Sequence, residues 1–114
     1  MKGSRMAEYI EVRVTAGSAE EADRICGAVV GGRLAACAQV VGPIVSTYWW
    51  EGQVQRSEEW LLLLKTRAEL FDELARSVRA EHSYDVPEIV AVALVDGIPD
   101  YLTWITEETS PVQR

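Results

Sequence analysis

The chain has 114 residues, of which 48% are apolar and 25% are charged, and its formal net charge is −7. This length and balance are typical of one globular domain that buries a core without a disulfide or a metal. The negative charge argues against nucleic acids and anionic membrane surfaces as partners, because both attract basic proteins. The expected partner is therefore a cation or a neutral molecule.

The N-terminus and the cysteines bear on the location of the protein. Residues 1–6 are interpreted as a loose leader ahead of a single domain at residues 7–110. The N-terminus lacks the apolar stretch of a signal peptide. No apolar run approaches the ~20 residues of a membrane span. Cys26 and Cys37 do not form a CxxC pair and are expected to be reduced, unbonded core thiols. These features predict a cytoplasmic protein.

The start of the chain predicts a strand followed by a helix. Apolar and polar residues alternate over residues 9–15, as in a half-buried strand. Ser18 and Glu21 have the spacing of a capping box, and an apolar stripe at helical spacing follows them. The pair Gly31-Gly32 predicts the end of this helix.

A long β-hairpin is predicted next. Residues 35–50 are rich in β-branched and aromatic side chains, with a bend expected at Gly42-Pro43. Glu51-Gly52 is typical of a tight turn, and residues 53–66 form the returning strand. The consecutive leucines at 61–64 suit a central strand that is covered on both faces.

The remaining segments complete the predicted fold. Residues 68–86 have helical spacing, and this helix should end near His82 because a residue before proline disfavours helix. Residues 88–97 predict a fourth strand, and Pro99 begins a short terminal helix. The order βαββαβ plus a helix predicts an α+β, ferredoxin-like sandwich with both main helices on one face of an antiparallel sheet.

Adjacent aromatic residues before the turn predict an interface. Trp49 and Trp50 must point to opposite faces of their strand, so one can face the core of its own chain while the other needs a cover. The hairpin from about residue 44 to residue 66 is also longer than ordinary strands, and its tip should project. With Tyr48 beside them, the tryptophans are expected to contact a neighbouring subunit.

His82, Asp85 and Glu88 form the candidate cation site. They lie within seven residues at a helix end and the loop after it. One imidazole with carboxylates suits a borderline divalent cation such as Cu(II) or Zn(II). The alternative interpretation is that His82 caps the helix C-terminus. Nothing in the sequence brings Cys26, Cys37 or a serine to this single histidine as a nucleophile, so an enzyme is not expected.

Five stretches in this order and spacing resemble the CutA family of divalent-cation tolerance proteins: RLAACAQVV, TYWWEGQV, LLLLKT, HSYDVPEIV and GIPDYLTWI. The resemblance covers residues 9–109. It implies a ferredoxin-like subunit in a tight homotrimer with an architecture like that of the PII signalling proteins. It also implies that the long hairpins reach across to neighbours, so that another chain covers Trp49 or Trp50.

The resemblance implies a role in copper tolerance and metal binding. In some members, a Cys at the end of the first strand and two successive His are proposed copper ligands. Here Val14 and Glu81 stand at two of these positions, and only His82 remains. The expected binding is therefore weak, selects Cu(II) or Zn(II) over Cu(I), and falls as protons compete for the imidazole.

A second hypothesis assigns the protein to a different class. It is a PII-like regulatory or interaction module that binds a small molecule in a cleft between subunits. The residues expected to line that cleft are Cys37, Trp50, Lys65 and Tyr84. Metal binding would then be incidental.

Overall fold

The computed structural model describes residues 7–111, so the leader predicted at residues 1–6 lies outside the described part. The elements are β1 (Tyr9–Ala16), α1 (Ala19–Gly31), β2 (Cys37–Trp50), β3 (Gln53–Arg67), a 3₁₀ turn (Ala68–Leu70), α2 (Phe71–Glu81), β4 (Ile89–Leu94) and α3 (Pro99–Glu108). This order confirms the predicted one. Within residues 7–111, no helix combines the length and the apolar character needed to cross a membrane.

The four strands form one antiparallel sheet in the order β2-β3-β1-β4. β3 and β1 are therefore central, as the leucine run of β3 predicts. Together with two helices on one face, this strand order is that of the ferredoxin-like fold. Strands β2 and β4 form the two edges.

The core lies between the sheet and the helices α1 and α2. Alternate residues of the central strands face the helices, and these side chains are completely buried. The members of this core include Val12, Val14, Leu62 and Leu64 from the strands and Ile25, Leu74 and Val78 from the helices. Full burial of each such side chain stabilises the fold by about 1.5–3 kcal/mol.

The opposite face of the sheet carries no main helix. Leu61 and Leu63 of β3 point to this helix-free face and are half-buried, while Val90 and Val92 of β4 are more exposed. Helix α3 covers only one end, where the Arg67 guanidinium donates to the Thr109 carbonyl oxygen at 2.9 Å. An apolar surface thus remains open in the single chain.

The distal part of the β2–β3 hairpin, residues 44–59, is called the arm below. It turns at Glu51 and Gly52, whose positive φ angles of 52° and 79° are those that a two-residue hairpin turn requires. The arm extends the molecule, which measures 47 × 35 × 23 Å.

Neither tryptophan of the arm reaches the core of its own chain. Trp49 is 74% exposed and Trp50 is 45% exposed. The expectation that one of them faces the core of its own chain is therefore wrong. The reason is the length of the hairpin, with strands of 14 and 15 residues, which carries both indoles beyond the packed helices.

The predicted bend in β2 is an irregularity in its pairing with β3, between Val41 and Ile44. A Cβ atom added to Gly42 would lie 2.4 Å from the Trp60 indole ring, far inside van der Waals contact. Gly42 is therefore required because β2 passes directly over this ring.

Two glycine substitutions test this packing. Gly42→Ala should destabilise the protein by about 1–3 kcal/mol, because the methyl group overpacks the contact with Trp60. Gly27→Ala is the matched control, since Gly27 lies inside α1 with open space around it and should gain up to about 1 kcal/mol of helix propensity. Thermal unfolding of both variants is the measurement. An unchanged melting temperature in Gly42→Ala would contradict the close approach.

Candidate functional site

The segment of residues 82–88, called the 82–88 loop below, joins α2 to β4 and passes the end of β1. His82 Nε2 lies 2.7 Å from the Thr15 carbonyl oxygen, and a carbonyl only accepts, so Nε2 carries the proton. The other ring nitrogen, Nδ1, accepts the Tyr84 backbone N–H at 3.1 Å. Both nitrogens of this neutral imidazole are therefore used to attach the loop to β1 and to shape it.

Glu21 of α1 anchors the same loop. Its Oε2 accepts the Ser83 backbone N–H at 2.7 Å, and its Oε1 accepts the Gly17 backbone N–H at 3.2 Å. Burial alone would raise the pKa of this carboxyl, but the hydrogen bonds from Ser83 and Gly17 outweigh it and lower the pKa. A buried carboxylate thus links the 82–88 loop to the turn between β1 and α1.

The capping box predicted at the start of α1 is only half formed. Ser18 Oγ accepts the Glu21 backbone N–H at 3.1 Å, as the pattern predicts. The Glu21 side chain does not accept a hydrogen bond from the Ser18 backbone N–H, because its two oxygens accept those of Gly17 and Ser83 instead.

Tyr84 joins the loop to the arm. Its hydroxyl donates to Glu59 Oε2 at 2.9 Å, and Glu59 is only 6% exposed. Burial and the adjacent Glu59 raise the pKa of Tyr84, which keeps the phenol protonated as a donor. Gly17 leaves room for the ring, since a Cβ atom there would lie 3.0 Å from the Tyr84 hydroxyl.

These contacts enclose a groove of about 610 Å³ between the arm and the 82–88 loop. The strand pairing places Ile44 opposite Glu59 and Ser46 opposite Ser57, so this side of the arm continues the helix-free face. The groove is lined by residues of the arm and of the loop, among them Ser46, Tyr48, Trp50, Glu59, Tyr84 and Glu88.

The groove combines aromatic side chains with acidic groups. Asp85 and Glu88 also line it, so that it holds three carboxyl groups with that of Glu59. None of the three forms an ion pair within residues 7–111. A cationic ligand is the natural complement of such a surface.

The residues predicted to bind a metal are only partly brought together. Asp85 and Glu88 line the groove, whereas the buried ring of His82 bonds Thr15 and Tyr84. Across residues 7–111, no three His, Cys, Asp or Glu side chains are grouped as metal ligands. The cation site at these residues stays a prediction.

The residues predicted to line the cleft fall into two separate groups. Trp50 and Tyr84 line the groove. Cys37 and Lys65 lie opposite each other in the sheet, where the Lys65 ammonium donates to Gln39 Oε1 at 2.6 Å. Lys65 is six residues along β3 from Glu59, or about 20 Å, so one chain does not join the two groups.

Cys26 and Cys37 are both free thiols in the structure, and each is half-buried. Burial, with the neighbouring Asp23 and Cys37, raises the pKa of Cys26 to about 11. This thiol is therefore protonated at neutral pH and is a poor nucleophile or metal ligand.

Glu21 and Glu59 are the two site residues that the sequence interpretation missed. The sequence pattern places Glu21 only in a capping box and gives Glu59 no role. The strand pattern contains a signal for Glu59, because it shares the period-2 face of Leu61 and Leu63.

A family model described as CutA1 divalent ion tolerance protein matches residues 10–108. The chain belongs to the CutA1 family. It is 44% identical over 100 residues to "Protein CutA 1, chloroplastic" of Oryza sativa subsp. japonica, which covers 88% of this chain. Its structure is similar to that of the periplasmic divalent cation tolerance protein CutA from Archaeoglobus fulgidus, with a TM-score of 0.87 and 38% identity. That match covers 90% of this chain and 99% of the archaeal one.

The comparisons also bear on length and location. The chain spans 56% of the rice relative and 59% of its chloroplastic Arabidopsis thaliana counterpart. The two plant relatives are described as chloroplastic and the archaeal structure as periplasmic. The cytoplasmic location predicted from the sequence is therefore wrong.

Replacing Glu21 tests the anchor of the loop. Glu21→Gln keeps the size of the side chain but turns an NH₂ group toward a backbone N–H, and should cost about 1.5–3 kcal/mol of unfolding free energy. Because folding lowers the pKa of Glu21, this contribution is complete at neutral pH and disappears as the pH falls through the lowered value. The two proteins should therefore converge in stability at acidic pH in chemical denaturation.

Glu20→Gln is the matched control. Glu20 is exposed in the same helical turn, and its replacement should change stability by less than about 0.5 kcal/mol. Equal effects of the two substitutions would contradict the anchoring role of Glu21.

Proposed function

We propose that the protein is a homotrimer that acts in tolerance to divalent metal ions, copper among them, and binds Cu(II) or Zn(II) weakly. The proposal rests on membership of the CutA1 family, whose model is described as a divalent ion tolerance protein. The acidic side of the groove, where Asp85 and Glu88 carry no ion-pair partner within residues 7–111, is the observation that supports cation binding by this chain. A binding protein and not an enzyme is proposed, because the single imidazole of His82 is engaged by backbone groups.

The donor set supports weak binding. Asp85 and Glu88 offer hard oxygen ligands, while His82 Nδ1 can coordinate a metal only if it gives up the Tyr84 N–H. Because the Tyr84 hydrogen bond must be broken first, coordination by His82 Nδ1 adds little to the free energy of metal binding. Cu(I) prefers soft thiolates and thioethers, and Val14 and the protonated Cys26 supply neither.

Two exposed apolar surfaces support a trimer. The arm carries Trp49, Val45 and Val54, which are all more than half exposed. The helix-free face adds Val90 and Val92 at the other edge of the sheet. Monomers seldom expose contiguous apolar surface on this scale, and a closed ring would also protect the two edge strands.

A PII-like module with a small-molecule cleft is the second candidate, and one observation favours it. Tyr84 bonds Glu59, about 20 Å along β3 from Cys37 and Lys65, and Trp50 lies still farther out on the arm. These two groups of residues can line one cleft only if two copies of the chain meet head to tail. A cleft between subunits of a cyclic trimer satisfies this condition.

Light scattering tests the oligomeric state. The expected mass at micromolar concentration is three times 12.7 kDa. Trp49→Ala should destabilise the assembly by about 3–5 kcal/mol per site, because it removes a large aromatic side chain that a neighbour covers. A mass of one chain for the unmodified protein, or no loss of stability in Trp49→Ala, would contradict the trimeric arrangement.

Calorimetry with Cu(II) and Zn(II) tests cation binding. The protein should bind with micromolar or weaker affinity, and the double variant Asp85→Asn, Glu88→Gln should lose most of that binding. Glu107→Gln is the control, since Glu107 is an exposed carboxylate on α3 away from the groove.

Two results would contradict the metal proposal. Absence of binding would favour the small-molecule module. Nanomolar Cu(I) binding would place the ligands elsewhere, with Cys37 as the first residue to replace.

A further inference from the structure

We infer that the groove between the arm and the 82–88 loop binds a small organic amine, with its ammonium group on the Glu59 carboxylate and its apolar body against Tyr48 and Tyr84. This inference goes beyond the metal-tolerance function and does not depend on a metal ion. It rests on a buried charge, on aromatic walls and on the size of the groove.

Glu59 supplies the central negative charge of the proposed site. It is 94% buried, and within residues 7–111 its side chain receives one hydrogen bond, from the Tyr84 hydroxyl to Oε2. Oε1 receives no hydrogen bond from that range, and no Lys, Arg or His there forms an ion pair with the carboxyl group. A buried carboxylate is costly unless a cation or further hydrogen bonds compensate its charge.

The Tyr84 hydrogen bond prepares this carboxylate for a cation. By holding Oε2, the phenol fixes the orientation of the side chain at the groove wall. Asp85 and Glu88 add two exposed carboxylates from the loop that forms the other side of the groove. A primary ammonium has three N–H donors, so it can satisfy several of these oxygens at once.

The aromatic part of the lining distinguishes an organic cation from a bare ion. Tyr48 of the arm and Tyr84 of the loop present aromatic surface to the groove, which attracts a cation through the ring quadrupole and buries apolar atoms next to it. A hydrated metal ion gains little from such a wall. The volume of about 610 Å³ falls within the range of about 300–1,000 Å³ that small-molecule sites occupy.

A basic side chain from a second copy is the competing occupant. The composition of the arm argues against it, since Arg56 is the only basic residue among residues 44–59. Arg56 also pairs with Thr47, on the other face of the arm from Glu59. The arm of a neighbour therefore offers the groove few cations. Lys65, which a head-to-tail cleft would bring near the groove, is already engaged by Gln39 and Glu11 of its own chain.

Calorimetry with phenethylamine tests the inference, with 2-phenylethanol as its uncharged counterpart. Both are titrated into the full chain at low salt with EDTA present, so that the outcome is independent of metal binding. Phenethylamine should bind, and 2-phenylethanol should bind at least about tenfold more weakly, because only the ammonium pairs with Glu59. No heat from phenethylamine at millimolar concentration, or equal affinity for the two compounds, would overturn the inference.

Two neighbouring glutamates provide matched variants. Glu59→Gln should weaken phenethylamine binding at least about tenfold, whereas Glu58→Gln, which removes an exposed charge from the other face of β3, should change it less than about twofold. Glu88 is exposed, so the Glu88→Gln variant should fold normally. It should also bind phenethylamine more weakly, which tests the site even if Glu59→Gln does not fold. Equal affinities for phenethylamine in all variants would overturn the inference. Dissociation of the assembly by Glu59→Gln alone would also overturn it, because a neighbouring chain would then occupy the groove.

Discussion

The buried carboxylate of Glu21 is the constraint on which the arrangement of the site depends. It receives backbone N–H groups from both Gly17 and Ser83, and so ties the turn after β1 to the 82–88 loop. His82 adds a hydrogen bond to β1 beyond the last residue that pairs with β4. With the loop held there, Tyr84 reaches Glu59 and closes the groove against the arm. One carboxylate in α1 therefore positions a site formed by the loop and the hairpin.

Much of the fold follows from local patterns in the sequence. The Ser18 cap, the Glu51-Gly52 turn and the proline that begins α3 are local signals, and each element lies where its signal places it. The strand order follows from the element order, because few topologies satisfy βαββαβ. The expectation for the tryptophans failed because alternation predicts which face a side chain takes, but not how far the strand extends beyond the core.

The site was less accessible to sequence interpretation, because its contacts join distant segments. Glu21 and Ser83 are 62 residues apart, and His82 bonds Thr15 across 67. A histidine near carboxylates suggests a metal site, yet the protein uses its imidazole to bind backbone groups. A glutamate three residues after a helix cap suggests a capping box, yet its side chain serves another loop. In both cases the residue type indicates that the side chain forms polar contacts, but it does not indicate which group it contacts.

The exchange rate of the Ser83 backbone amide tests this account most directly. Ser83 lies at an exposed position in the loop, where an unanchored amide would exchange with solvent as fast as in an unstructured peptide. Because its N–H is bonded to the buried Glu21 carboxylate at 2.7 Å, the account predicts slow exchange at neutral pH and fast exchange in Glu21→Gln. Fast exchange at Ser83 in the unmodified protein, with the β3 amides still protected, would contradict the claim that Glu21 holds the site together.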